Sequence, residues 1–309
     1  LSKAGCLKHV KIARWIVQMR LSPIFIICIA LTSIAHSDRN KPDSENASSY
    51  PWVEYMDKPI PQTIPLSQRF PTPEGYKRAE LREGSFGSWL RELPIRLDRT
   101  HVLSFDKRPL VRPSKAVALL DVGKRDFQQC ADSIIRLHGE FLWHKNKMNK
   151  ARYHFTDGQP TSWNGWILGD RFKSIGYRLK KYRGRPRANH YTNFRRWLTY
   201  IFIYAGTRSM KHDSQPVTAG DLSPGDFFVR PGGPGHAVLL LDIAVNQAGH
   251  TLGLIGQGFM PAEDFHIIYG RDTVDAVWFP LPQEPGLEMH TPSWPQPFRL
   301  DDARRFKVL

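Results

Sequence analysis

Two hydrophobic periods succeed one another along the chain. From Asp126, the residues Phe127, Cys130, Ala131, Ile134, Ile135, Leu137, His138 and Phe141 fall mostly at three- and four-residue intervals. This spacing predicts a helix with one buried face, with Asp126 capping its first turn. The segment Y-T-N-F-R-R-W-L-T-Y-I-F-I-Y-A-G-T predicts a second helix ending near Gly206. Beyond L-S-P-G-D the period shortens. F-F-V, A-V-L-L-L-D-I-A-V, T-L-G-L-I-G-Q-G, F-H-I-I-Y and A-V-W-F are short apolar runs separated by turn-forming residues, which predict strands. Helices first and an antiparallel sheet second give an α+β fold.

Upstream, Phe86, Trp89, Leu90 and Leu93 lie at helical spacing and stop at Pro94, predicting a short amphipathic helix within 85–95. H-V-L-S-F and A-V-A-L-L-D-V, between 100 and 122, read as two strands or a strand and a buried segment. Residues 38–75 are rich in Pro, Ser, Asp and Asn and read as an extended lead-in, partly disordered and partly draped on the domain. Residues 76–280 then form the domain, with a polar, basic insertion at 145–190, and 281–309 a proline-rich strap that wraps it.

One hairpin can be registered from the sequence. N-Q-A-G at 246–249 forms the turn between two apolar runs, which places His236 opposite residues 257–261. Gln257 is then directly across from His236 or diagonal to it, where its carbonyl can accept the imidazole N–H. Asp242 lies on the same strand face but six residues away, roughly 20 Å, and is too far to orient the ring.

Composition adds location and partners. Met19-Arg20 leads into the apolar run L-S-P-I-F-I-I-C-I-A-L-T-S-I and then Ala35-His36-Ser37, which reads as a signal peptide with its cleavage site; residues 1–18 read as an upstream extension. A run of about 14 residues is short for a bilayer span, so no stable span is expected after cleavage and the protein is expected to be periplasmic or secreted. Removal of residues 1–37 takes away Cys6 and Cys28 and leaves Cys130 as the single cysteine. The formal charge of the whole chain is +15, and without the five bases of residues 1–37 it is about +10. Anionic partners are favoured, such as a cell-wall or other envelope polymer, and export makes nucleic acid unfavoured. Arg178, Lys180, Lys181 and Arg183 lie in the densest part of the basic segment and are the candidate polyanion-binding residues.

A lone thiol in an oxidising compartment is a buried small hydrophobe, an intermolecular bridge or a nucleophile. At the first turn of a helix it gains from the helix dipole, and with a nearby imidazolium its pKa falls to roughly 3.5–7.5. The expected assignment has Cys130 as nucleophile, His236 as base and Gln257 as the residue that orients the ring. The Cys130 N–H, with the side-chain amide of Gln129 or Gln128, would face the oxyanion. There is no H-E-x-x-H, C-x-x-C or phosphate-loop motif, so no metal site and no cofactor are expected.

The segments L-S-P-G-D-F-F-V, P-G-H-A-V-L-L-L-D-I-A and L-I-G-Q-G-F, with Q-C at 129–130, resemble the CHAP-type amidohydrolase and peptidase domain, which has a papain-like fold. The resemblance covers roughly 125–145 and 220–260. It implies Cys130 as nucleophile, His236 as base and Gln257 as orienter, with residues 145–190 accommodating the long interval between Cys130 and His236. Over more of its length the chain resembles an uncharacterised family of exported bacterial proteins. That second resemblance rests on S-F-G-S-W-L-R-E-L-P, R-D-F-Q-Q-C-A-D-S-I-I-R-L, Y-H-F-T-D-G and P-G-H-A-V with G-F-M-P-A. Together they set the expectation of an exported thiol hydrolase that cleaves an amide bond in cell-envelope material, peptidoglycan peptide among the candidates. The alternative is a non-catalytic envelope protein that binds an anionic polymer through its basic segment.

Overall fold

The computed structural model describes residues 50–309 apart from Pro285. The expected signal peptide, Cys6, Cys28 and the first part of the lead-in lie outside the described residues. The sheet strands are β1 (Tyr76–Arg78), β2 (Ser114–Val117), β3 (Ser214–Pro216), β4 (Phe227–Arg230), β5 (His236–Asn246), β6 (Thr251–Gln257), β7 (His266–Ile268), β8 (Trp278–Pro280) and β9 (Ala303–Phe306). The helices that matter for the site are α1 (Phe86–Arg91), α2 (Cys130–His144), α3 (Tyr191–Tyr204) and α4 (Thr207–Asp213).

The strands form one nine-stranded sheet in the order β3-β9-β4-β5-β6-β7-β2, with β8 added to β6 and β1 to β5. All of these pairings are antiparallel. The fold is therefore α+β with a predominantly antiparallel sheet. Its strands do not simply follow the helices, however: β1 and β2 precede α2 and pair with β5 and β7.

Strand β5 organises this sheet because it is buried on both faces. Ala237, Leu239, Leu241 and Ala244 enter the core on the helical side, while Val238, Leu240 and Ile243 enter the core on the other. A bulge between Leu240 and Asp242 shifts the strand by one residue midway, so beyond it the even-numbered residue Ala244 faces the helical side. Asp242 is fully buried there and is held by Arg78 at 2.6 Å and Arg91 at 2.7 Å. That satisfies a charge which burial would otherwise penalise by several kcal/mol.

The helix carrying Cys130 differs from its expected form. It starts at Cys130, with Gln129 as N-cap residue, and Asp126 instead accepts from the Gln129 side chain and from the Ala262 N–H. It is also buried on every side from Cys130 to Leu142, not on one face. The sheet covers one flank, and α3 and the 3-10 turn Pro51–Tyr55 cover others. Two of its buried charged residues are paired: Arg136 binds Asp121 at 2.5 Å and Glu140 at 3.4 Å, and Glu140 accepts from the Tyr191 hydroxyl at 2.8 Å.

Both flanks of the expected domain are integral to it. Tyr50 and Trp52 of the lead-in are in the core, and Trp52 donates to the Leu119 carbonyl. The C-terminal strap ends in β9, which lies between β3 and β4 inside the sheet. Its Val308 carbonyl accepts from His138 Nε2–H at 2.5 Å, and His138 Nδ1 accepts from the Tyr153 hydroxyl at 2.8 Å. The segment 145–190 builds two small ribbons and the helix Trp163–Ile167, all outside the main sheet.

Burial pushes His138 down to about 4. Unfolded, the same ring titrates near 6.5, so it binds a proton before the folded ring does as the pH falls. Its contribution to stability is present above pH 6.5 and is lost as the pH falls toward 4. The unfolding free energy of His138→Phe relative to wild type should therefore shift in favour of the variant by on the order of 3 kcal/mol between pH 7 and pH 4. Urea titrations at the two pH values measure this, and a pH-independent difference would contradict it.

Candidate active site

The first turn of α2 and the start of β5 meet. The backbone N–H groups of Ala237, the residue after His236, and of Cys130 and Ala131 lie beside the Cys130 thiol and favour its thiolate form. Glycine makes this approach possible on the sheet side. A Cβ on Gly258, one residue beyond β6, would fall 2.6 Å from Ser133 Oγ on α2. The hairpin register agrees with the expectation: Val245 faces Thr251, and past the bulge Leu239 faces Gly256. Gln257 is thereby diagonal to His236, and its Oε1 lies 2.9 Å from His236 Nε2.

That contact defines the tautomer. An amide oxygen only accepts, so the His236 proton is on Nε2 and Nδ1 carries the lone pair. His236 Nδ1 is buried and has no hydrogen-bond partner among the described residues. The chain of contacts then continues to a residue the sequence analysis did not single out. Gln257 pairs directly with His266 across β6 and β7, its Nε2 is 3.5 Å from His266 Nε2, and His266 Nδ1 is 3.0 Å from the Asp264 carbonyl. His266 must therefore donate from Nδ1 and accept at Nε2, which turns the Gln257 amide so that its oxygen faces His236. Behind it, Glu263 Oε1 is 3.6 Å from His266 Nδ1 and Glu263 Oε2 binds Arg112 at 2.7 Å. Carrying the strand pairing one strand further, from Gln257 to F-H-I-I-Y, was the signal that could have revealed His266.

A cleft of about 560 Å³ opens over this junction. Cys130, Gln129 and Asp132 line one wall, and Thr207, Arg208 and the loop Gly232–Gly235 line the other. Gly235 seats that loop on α4, since a Cβ there would be 2.3 Å from Thr207 Oγ1 and 2.6 Å from the Gly232 nitrogen. Asp132 binds the Gln129 N–H through Oδ2, while its buried Oδ1 has no partner among the described residues. His236 and Gln257 do not line the cleft; they are fully buried on the sheet face of Val238, opposite α2, so the structure joins His236 to Gln257 but not to Cys130, and Phe259, Trp294 and Phe298 surround the His236 ring at 4.9, 5.3 and 6.1 Å.

The two glutamines before the cysteine are placed differently. Gln129 is on the cleft wall with its amide nitrogen donating to Asp126 at 3.0 Å. Gln128 is buried, and its carbonyl accepts from Arg136 at 2.9 Å. Its amide nitrogen, the group an oxyanion would need, is directed to the Asp121 carbonyl at 3.5 Å, and of the two side chains only Gln129 lines the cleft.

The protonation states also depart from the expected ion pair. Burial pushes the Cys130 thiol up to about 11 despite the three N–H groups beside it, and burial pushes His236 down to about 4 although the Gln257 bond opposes this. With the thiol 5% exposed, desolvation outweighs the helix-terminal field, and the resting pair is neutral. Burial likewise pushes His266 down to about 4 and Glu263 up to about 7.

The candidate polyanion-binding residues are far from uniform. They lie on a two-stranded ribbon, Asp170–Ile175 and Arg178–Arg183, whose buried Phe172 and Leu179 attach it to the core. Lys181 and Arg183 pair with Asp170 at 2.6 and 3.0 Å, whereas Arg178 and Lys180 belong to the opposite face. Among the described residues no helix is long and apolar enough to cross a membrane, and no group of three or more His, Cys, Asp or Glu is placed to hold a metal ion.

An α+β domain with a buried cysteine at a helix start and a His–Gln pair on the facing hairpin is the class of protein defined by this geometry. The chain belongs to the family described as domain of unknown function (4846), whose pattern covers residues 66–305. No curated protein and no solved structure matches it.

A neutral, buried thiol has a measurable consequence. Alkylation of Cys130 by iodoacetamide in the native protein should be slow at neutral pH and should keep rising with pH above 9, without a plateau. Rapid labelling with an apparent pKa below 8 would contradict the neutral resting state.

Proposed function

We propose that the chain is an exported thiol hydrolase with a papain-like, CHAP-type arrangement that cleaves an amide bond in cell-envelope material. One observation carries this reading: His236 is held by Gln257 at 2.9 Å through Nε2, with an unpartnered buried Nδ1, on the strand whose next N–H lies beside the Cys130 thiol. A histidine placed only for packing has no need of an amide that specifies its tautomer. Nor does it need a second histidine that specifies the amide.

In this reading the resting site is uncharged and the proton moves as the sulfur attacks. The His236 side chain rests on the sheet face of Val238, so it must first turn toward α2; its Nδ1 then takes the thiol proton while Cys130 Sγ bonds to the carbonyl carbon, and the oxyanion develops toward the helix start, where the Cys130 N–H and the Gln129 amide are the available donors. The imidazolium, stabilised by Gln257, then gives its proton to the leaving amine as the C–N bond breaks. Water attacks the thioester with the same base and restores the thiol. The N–H groups at the sulfur favour the charge that burial resists, so charge separation belongs to the transition state and not to the resting enzyme. The cleft is lined by Asp132, Thr156, Thr207 and the cation Arg208, which suits a polar peptide rather than a lipid acyl chain. A peptide of peptidoglycan fits both this polarity and export.

The test is release of new amino groups from purified peptidoglycan. Cys130→Ala and His236→Gln should each abolish it with little change in melting temperature. His266→Phe, which frees the Gln257 amide to rotate, should lower kcat by about tenfold at unchanged KM, in the range typical for loss of an orienting partner. Turnover that persists in Cys130→Ala would refute the proposal.

A further inference from the structure

The ribbon Asp170–Arg183 has a face that the thiol chemistry does not use. In its register Ile175 stands opposite Arg178 and Lys173 opposite Lys180, so these four share one face, turned away from the buried Phe172 and Leu179. Lys173, Arg178 and Lys180 are exposed. Like charges directly across a strand pair repel, and the one acidic residue of the ribbon, Asp170, is already engaged by Lys181 and Arg183. Folding alone does not reward this face; an anionic surface would.

The tip distinguishes which kind of anion. Ile175 is 54% exposed and Tyr177 fully exposed at the turn, and Ile203 on the adjacent end of α3 is 43% exposed. Thr156, Ile203 and Ala205 line both the candidate active cleft and the hollow beneath the tip that Ser174, Tyr177 and Arg178 help to form, so the apolar tip sits at the rim of the cleft. A soluble polyanion needs only the bases. A lipid surface needs bases at the phosphate level and an aliphatic or amphipathic aromatic side chain that reaches past it.

We infer that the ribbon docks the protein on an anionic phospholipid surface, with Ile175 and Tyr177 inserted among the headgroups and Lys173, Arg178 and Lys180 on the phosphates. The inference stands on the ribbon alone and does not require the thiol to be reactive. Its consequence is positional: docking brings the mouth of the cleft to the membrane surface.

The experiment is co-sedimentation of the full chain with sucrose-loaded vesicles of equimolar phosphatidylglycerol and phosphatidylcholine, with polyphosphate binding as the comparison. Each basic residue near such a surface is worth about a fivefold change, so Lys173→Gln with Lys180→Gln should weaken vesicle binding roughly 25-fold, and added salt should weaken it further. Ile175→Ser with Tyr177→Ser should weaken vesicle binding about tenfold while leaving polyphosphate binding as in wild type. All four positions are exposed, so the fold is not at risk. Vesicle binding that survives both pairs of substitutions, as an apolar N-terminal run would produce, overturns the inference. So does binding to polyphosphate without binding to vesicles.

Discussion

The pairing of β5 with β6 is the constraint on which the rest of the molecule depends. Strand β5 is buried on both faces and paired along both edges, so its register cannot slip without moving apolar side chains out of two cores at once. The bulge at Leu241 reverses the alternation midway, and the buried Asp242 beside it draws in Arg78 and Arg91, tying β1 and α1 to the sheet centre. The same register sets Gln257 diagonal to His236. Structural and chemical requirements therefore fall on the same hairpin.

The thiol and the imidazole are both buried, and this dictates what chemistry the site can support. A thiol and an imidazole that are both buried favour their neutral forms, so neither the helix start nor the neighbouring N–H groups suffice for a resting ion pair. Specificity of proton position comes instead from a line of hydrogen bonds that leaves one consistent arrangement. The Asp264 carbonyl orients His266, His266 orients the Gln257 amide, and Gln257 orients His236. Phe259, Trp294 and Phe298 enclose the His236 end of this line.

The distribution of polarity over the chain follows a division of labour. Several buried charges are held in ion pairs, Arg136 with Asp121 on α2, Asp242 of β5 with Arg78 and Arg91, and Arg112 with Glu263 beside the site. The excess of basic residues is left to the surface, and a concentrated part of it projects on a ribbon outside the main sheet. Because the ribbon is attached by Phe172 and Leu179, its outer face is free to vary without disturbing the core.

Local pattern was enough to reveal α1, α2, α3 and the strands β4 to β7, because each has a hydrophobic period set by its own backbone geometry. The β5–β6 register was legible for a similar reason: the turn at 246–249 is short, so counting from it aligns His236 with Gln257. What the sequence could not determine were quantities that depend on distant residues. Burial of α2 on all sides comes from the lead-in, α3 and the sheet closing over it, and β9 reaches the middle of the sheet from the far end of the chain. Whether Cys130 is a thiolate was beyond its local sequence too, since the helix start argues for charge and only the assembled core supplies the desolvation that overrides it. Helical and strand periods are properties of neighbours along the chain, whereas burial, and with it protonation, is a property of neighbours in space.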